Sequence, residues 1–377
     1  MALHLKKEKI NKAFFLLSII IIIVLAFLLL RKNFAVYFKK VPFSLKLVRI
    51  IGAKYGLKGP AGVAFGRRND IYVVDSGNSR IIKFNIKGKY LGQWGIEGKA
   101  AGEFMIPLFA AAHGNPERIY AVDSGNSRIQ VFNRKGNFIS EFGISKNPRR
   151  TLIQPTFIGF SDNKIYVANS SADDLMIYSK NGIFYERKGN SVIRNNAGAG
   201  AGAAAGGKTT GGGAAGGGQG NNNGNNGKHS PKRKKTSNSR VLSSVKFKKP
   251  VSIAFSKKYI YISDYSLSKI LVFNRQFDYI GSIGTPGEEG YQLYHPVGIV
   301  YKNGRLYVAN YGRSILTVFK LDNGYNVVKS YNFGIPGLGG KDFNHESNIS
   351  VSLNGRYIAV ADTDNDRIAL YRIQGAK

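Results

Sequence analysis

IYVVDSGNSRIIKF, residues Ile71 to Phe84, decides the fold, because the chain repeats it almost unchanged as IYAVDSGNSRIQVF from Ile119 to Phe132. Four looser copies follow: IYVANSSADDLMIY from Ile165, IYISDYSLSKILVF from Ile260, LYVANYGRSILTVF from Leu306 and IAVADTDNDRIALY from Ile358. Each copy is two short runs of apolar, β-branched and aromatic residues around a polar turn, the pattern of strand, tight turn and strand. The anchor position reads Asp75, Asp123, Asn169, Asp264, Asn310 and Asp362 and advances by 46 to 52 residues, except for one gap of 95. Such a unit cannot bury both faces of its own sheet, so the units must pack on one another.

The first unit predicts four strands: an inner one at Gly62 to Phe65, then Ile71 to Val74, Arg80 to Phe84 and an outer one at Tyr90 to Trp94. The aromatics Phe84, Phe132, Tyr178, Phe273, Phe319 and Tyr371 close each third strand, where a ring can fill the space between units. After Tyr371 the sixth unit has no room for its outer strand. Leu47-Val48-Arg49-Ile50-Ile51-Gly52 has the outer-strand pattern of Tyr90 to Gly95 and precedes the first inner strand, so it is expected to close a ring and remove an exposed sheet edge. The expected fold is all-β, a six-bladed β-propeller over residues 45–374.

The long gap is one period plus an insert at 190–247, which runs AGAGAGAAAGG, then GGGAAGGGQGNNNGNN, then the basic KHSPKRKK. That composition cannot bury a core and reads as a flexible loop. Ahead of the ring, residues 13–30 form an uncharged apolar run, AFFLLSIIIIIVLAFLLL, that would rise about 27 Å as a helix and is expected to span a bilayer. It follows a basic tail at 1–12 and precedes a linker at 31–44; Leu30-Arg31-Lys32 lacks the small-residue pattern of a cleaved signal. Lysines 6, 7, 9 and 12 before the run nearly balance Arg31, Lys32, Lys39 and Lys40 after it. A short tail ahead of a first span favours an extracytoplasmic propeller. Cysteine is absent, which removes disulfides and thiolate chemistry. A net charge of +33 points to anionic surroundings: lipid headgroups, acidic polymers, acidic proteins or nucleic acid.

These residues resemble the NHL repeat family: a Pro-x-Gly opening of the inner strand (Pro60-Ala61-Gly62, Pro296-Val297-Gly298), the I-Y-V-x-D second strand, the D-S-G-N-x-R-I turn and glycine-rich connections such as Gly284 to Pro296. The resemblance implies that the turn aspartate caps its own loop and pairs with the following arginine, Asp75 with Arg80, Asp123 with Arg128 and Asp362 with Arg367. Units three and five depart from it, with Asn169 and Asn310 and no arginine five residues on.

Similar propellers include enzymes. The peptidylglycine amidating lyases carry zinc-binding histidines just after the inner-strand proline, where this chain has Ala61, Leu108, Thr156, Val251, Val297 and Ser347. None of these replaces a histidine as zinc ligand. His295 and His345 share an equivalent place one residue earlier and are weak metal candidates; a lactonase-like calcium site would draw on Asp264, Asn310, Glu346 and Asn348. No nucleophile elbow, phosphate loop or paired-carboxylate motif appears, so no cofactor is expected. The expected binding face gathers Asn78, Asn126, Arg149, Arg150, Tyr265, Tyr291, Tyr294, Tyr311, Arg313 and Asn365, with tyrosine and arginine suited to an acidic protein or polymer. Two other readings are a metal-dependent lyase or hydrolase, and RNA binding if the ring is cytoplasmic.

Overall fold

The computed structural model describes residues 42–189, 245–287, 292–334 and 343–375. The tail at 1–12, the apolar run at 13–30, nearly all of the linker, the insert up to residue 244 and Tyr291 lie outside the described residues. Among the described residues no helix is long and apolar enough to cross a membrane.

Strand β1 spans Ser44–Ile51, and blade 1 follows as β2 (Pro60–Phe65), β3 (Ile71–Asp75), β4 (Arg80–Phe84) and β5 (Tyr90–Trp94). Blade 2 is β6 (Pro107–His113), β7 (Arg118–Asp123), β8 (Arg128–Asn133) and β9 (Phe138–Phe142); blade 3 is β10 (Phe157–Ser161), β11 (Lys164–Asn169), β12 (Asp174–Ser179) and β13 (Phe184–Gly189). Blade 4 is β14 (Pro250–Phe255), β15 (Tyr259–Asp264), β16 (Lys269–Asn274) and β17 (Tyr279–Ile283); blade 5 is β18 (Pro296–Lys302), β19 (Arg305–Asn310), β20 (Ile315–Leu321) and β21 (Val327–Phe333). Blade 6 has β22 (Glu346–Val351), β23 (Tyr357–Asp362) and β24 (Arg367–Gln374), and its fourth strand is β1, antiparallel to β24 with Leu47 opposite Tyr371 and Ile51 opposite Ile368. The ring therefore closes as expected, and the inner strands of successive blades pack side by side around the axis.

Turns between second and third strands share one face, here the upper face, with the connections from each outer strand to the next blade. Gly77 N–H donates to the Lys58 carbonyl, Gly125 to Met105 and Gly312 to Tyr294. The remaining turns define the lower face.

The core lies between blades. The third-strand aromatics are buried, and Phe132 packs 6.0 Å from Trp94 and Tyr178 4.9 Å from Phe142, each on the outer strand of the preceding blade. The upper connections contribute a second layer: Leu57, Phe104, Leu152, Phe247, Leu293 and Phe343 are all buried, one per blade. Phe247 sits 5.7 Å from Phe273, so the polypeptide rejoins the core before residue 247, earlier than the insert boundary drawn from composition. Burying a Phe or Leu side chain stabilises by about 1.5–3 kcal/mol, and these six repeat that contribution around the ring.

Candidate binding face at the channel mouth

All six anchor residues have no measurable exposure, and each accepts a backbone N–H from the upper connection 15 to 18 residues earlier. In blades 1, 2 and 6 one carboxylate oxygen takes Lys58, Met105 or Asn344 N–H at 2.7–2.8 Å. The other takes Nε of Arg80, Arg128 or Arg367 at 2.6–2.8 Å. The three expected ion pairs thus exist. The expected cap corrects: the carboxylates in these blades make no cap bond to their own turn and instead hold the connection above. Only Asp264 does both, accepting Leu267 N–H at 3.0 Å as well as Lys248 and Lys249. A connection that must bury its apolar residue has to satisfy the next backbone N–H, and the anchor oxygen does so.

The amides of Asn78, Asn126 and Asn365 donate to Asp75, Asp123 and Asp362 at 2.8–3.0 Å, so within the expected binding set these three help build the turns. Blade 3 keeps the charge pair in another arrangement. Asn169 donates to Asp174 at 2.9 Å, and Asp174 meets Arg187 of the outer strand β13 at 2.6 Å. Burial pushes the Asp174 carboxyl up to about 6, against the hydrogen bond from Asn169 and the Arg187 guanidinium. In blade 5 the anchor is neutral: Asn310 donates to the Gln292 carbonyl and to Thr317 Oγ1.

Residues just ahead of the inner strands form the rim of the channel mouth. In five blades one of them, Gly59, Ile106, Gln154, His295 or His345, adopts left-handed backbone, with φ of 47–52°. Four of these N–H groups are caught by the preceding blade: Gly59 by Asp366, Gln154 by Ser127, His295 by Ser268 and His345 by Ser314, at 2.6–3.4 Å. Non-glycine residues rarely adopt this conformation, and here the neighbouring blade holds it in place.

In blades 6 and 3 the first residue of the upper turn reaches the next blade: Thr363 Oγ1 donates to the Pro60 carbonyl at 3.1 Å, and Ser170 bonds the Pro250 carbonyl. In blades 4 and 5 tyrosines occupy that place. Tyr265 stacks on His295 at 4.3 Å and 8°, and His295 stacks on Tyr294 at 4.2 Å. Tyr311 stacks on His345 at 4.7 Å and lies 6.2 Å from Tyr265. Lys249 Nζ sits 4.7 Å over the Tyr265 ring, and His345 Nδ1 meets Asp364 at 2.6 Å. The result is one aromatic and imidazole shelf across blades 4 to 6, with a cation at one end and a carboxylate at the other. Arg313 borders it, donating to the Gln292 carbonyl at 3.2 Å. Arg149 and Arg150 belong elsewhere, on a one-turn helix whose Arg150 packs 5.6 Å over Phe184 of outer strand β13.

His295 and His345 are each engaged in ring stacking, on Tyr265 and Tyr311, whose own rings lie 6.2 Å apart. Among the described residues no three His, Cys, Asp or Glu side chains gather as for a metal. Of the suggested calcium ligands, Asp264 and Asn310 are consumed as anchors, Asn348 is buried in the blade 6 inner strand with Oδ1 unpartnered, and the Glu346 side chain is outside the described set. At the channel positions Thr156 and Ser347 turn their hydroxyls to the neighbouring blades, onto the Val251 and Ala61 carbonyls.

Fold and turn chemistry together define an all-β, six-bladed propeller of the NHL type. The NHL repeat itself matches residues 57–84. A comparison with curated proteins gives no match. Among solved structures, the chain is similar to a streptogramin B lyase at a TM-score of 0.52 and 11% identity, over 88% of this chain and 98% of that one. A virginiamycin B lyase from Staphylococcus aureus aligns at 0.50 and 13% identity, over 88% of this chain and 89% of the other. A catalytically inactive histidine-to-alanine variant of that lyase, with quinupristin, aligns at 0.50 and 12%, over 88% and 99%. At these identities the likeness is one of fold.

Proposed function

We propose that this protein is a membrane-tethered propeller, held outside the cytoplasm, that binds an acidic protein or polymer on its upper face. The observation that carries the reading is the Tyr265, His295, Tyr294, Tyr311 and His345 shelf at the channel mouth, flanked by Lys249 and Arg313. Stacked rings present a rigid surface that loses little conformational entropy on binding, and tyrosine and arginine are the side chains that concentrate binding energy. The apolar run at 13–30 and the basic composition support the tether and the sign of the partner.

The probe is immobilised poly-L-glutamate. Capture should fall with added salt, persist in chelator, and weaken at least about tenfold in Tyr265→Ala/Tyr311→Ala. Capture that the double variant leaves unchanged, while Trp94 fluorescence shows it folded, refutes the reading. A lyase is the second reading, favoured by the His345 and Asp364 pair at the mouth and by the likeness in fold to the streptogramin B and virginiamycin B lyases. It requires turnover of a substrate that His345→Ala abolishes.

A further inference from the structure

Of the two faces, the lower one is where the chain enters the ring. Ser44 pairs with Gln374 at the lower end of blade 6, and the apolar run ends at Leu30, a separation that the thirteen residues between them, fully extended, span in about 50 Å at most. On the upper face, Arg80, Arg128, Arg187 and Arg367 are all tied to carboxylates. On the lower face three carboxylates are held by cations, Asp70 by Lys83 and Arg134, Glu117 by Arg134, and Asp162 by Arg275. Asp278 and Asp322 are exposed there, bonded to the amides of Asn274 and Asn326, and are outnumbered by cations. The turns of this face carry exposed cations around the ring: Arg67, Arg68, Lys135, Lys257, Lys258 and Arg356. Two large apolar side chains also stand out from lower turns, Ile183 at 68% and Leu353 at 59% exposure.

A hollow of about 740 Å³ opens on the same face between blades 2 and 3. Arg118, Lys164 and Lys180 line it together with His113, whose ring lies parallel to Phe160 at 4.2 Å. The carboxylate in its wall, Asp162, is already held by Arg275, so the hollow offers cations to a ligand.

We propose that the lower face rests on an anionic phospholipid bilayer, with headgroup phosphates against the turn cations and in the blade 2 to 3 hollow, and with Ile183 and Leu353 in the headgroup layer. The inference rests on the proposed tether for its geometry and is independent of the acidic partner on the other face. Each lysine or arginine near an anionic surface raises partitioning about fivefold, and the effect decays within about 8 Å in physiological salt.

The absence of native cysteine allows a clean test on the full chain. Single cysteines at Gln276 (lower) and Ser266 (upper), in the same blade, carry a donor dye, and the vesicles carry an acceptor on their headgroups. With phosphatidylglycerol in phosphatidylcholine vesicles, transfer from the lower site should exceed that from the upper site, and the difference should disappear in pure phosphatidylcholine or high salt. Arg67→Glu/Arg68→Glu/Lys257→Glu/Lys258→Glu should abolish the difference in a protein still folded by Trp94 fluorescence. Equal transfer from both sites in anionic vesicles that retain the chain overturns the inference and leaves the tether standing. Flotation only with anionic vesicles, lost in the quadruple variant, supports the inference and overturns the tether; no flotation with any vesicle overturns both.

Discussion

Replacing Asp123 by asparagine tests the anchor logic at its most heavily used position. The carboxylate is fully buried and accepts from Met105 N–H at 2.8 Å, Asn126 at 2.9 Å, Arg128 Nε at 2.8 Å and Gln130 at 3.0 Å. An amide oxygen can still take Met105, but the new NH₂ then faces three donors. Arg128 keeps Glu141 and two carbonyls, and Gln130 keeps the Glu103 carbonyl, so the loss is partial. Breaking a buried charge pair from one side costs about 3–5 kcal/mol, and the retained bonds put this case near the lower end. Arg128→Ile alone leaves a buried carboxylate short of its cation and costs a similar amount. The double variant copies the Asn310 and Ile315 pair of blade 5 and should cost at least about 2 kcal/mol less than the sum of the two. Urea unfolding followed by Trp94, the chain's single tryptophan, 6.0 Å from Phe132, reads this directly. Additivity within about 0.5 kcal/mol would refute the claim that the aspartate is kept for the arginine.

Two further outcomes follow from the same architecture. Gly95 has φ of +99°, and a Cβ there would sit 2.5 Å from the Phe104 ring, so Gly95→Ala should cost about 2–5 kcal/mol, whereas Gly92→Ala, also at positive φ but with nothing within 4 Å, should cost only the backbone part; equal losses in urea melts would contradict the packing account. Asp174 binds its proton more tightly folded than unfolded, so its contribution to stability is complete below its ordinary value of 3.8 and is lost as pH rises through about 6. Relative to Asp174→Asn, the natural protein should therefore lose about 2 kcal/mol between pH 4 and 7, and a margin that stays flat across that range would contradict the burial of the charge.

The ring was legible because its signals are local and repeated: the I-Y-V-x-D strand, the turn residues and the outer-strand likeness of Leu47 to Gly52 each follow from composition at fixed spacing. The mouth was legible in part. Tyr265, Tyr294, Tyr311 and Arg313 were expected on one face and are found there, but their stacking on His295 and His345 depends on the left-handed rim, which residues as unlike as Ile106 and Gln154 adopt without any compositional mark. Arg149 and Arg150 fall on the same face in topology yet sit against an outer strand, since sequence gives the face and not the radius. The exchange of Asp174 and Arg187 for the usual pair was hidden because the arginine comes from a different strand. The buried layer from Leu57 to Phe343 did carry a readable signal, an apolar residue 17 to 19 positions before each anchor, and Phe247 shows it even at the end of the basic insert.

The clasp between β1 and β24 has a consequence for how the polypeptide could be divided. Residues 42–189 hold three blades and also the outermost strand of the sixth, while residues 245–375 hold the remainder. A protease nicking the intervening stretch would sever the covalent path between these pieces without opening the circle, because each piece is gripped at both of its ends by the other. Such a molecule would behave as a pair of interlocked fragments, and the two halves, made as separate polypeptides, are suited to reassemble by complementation.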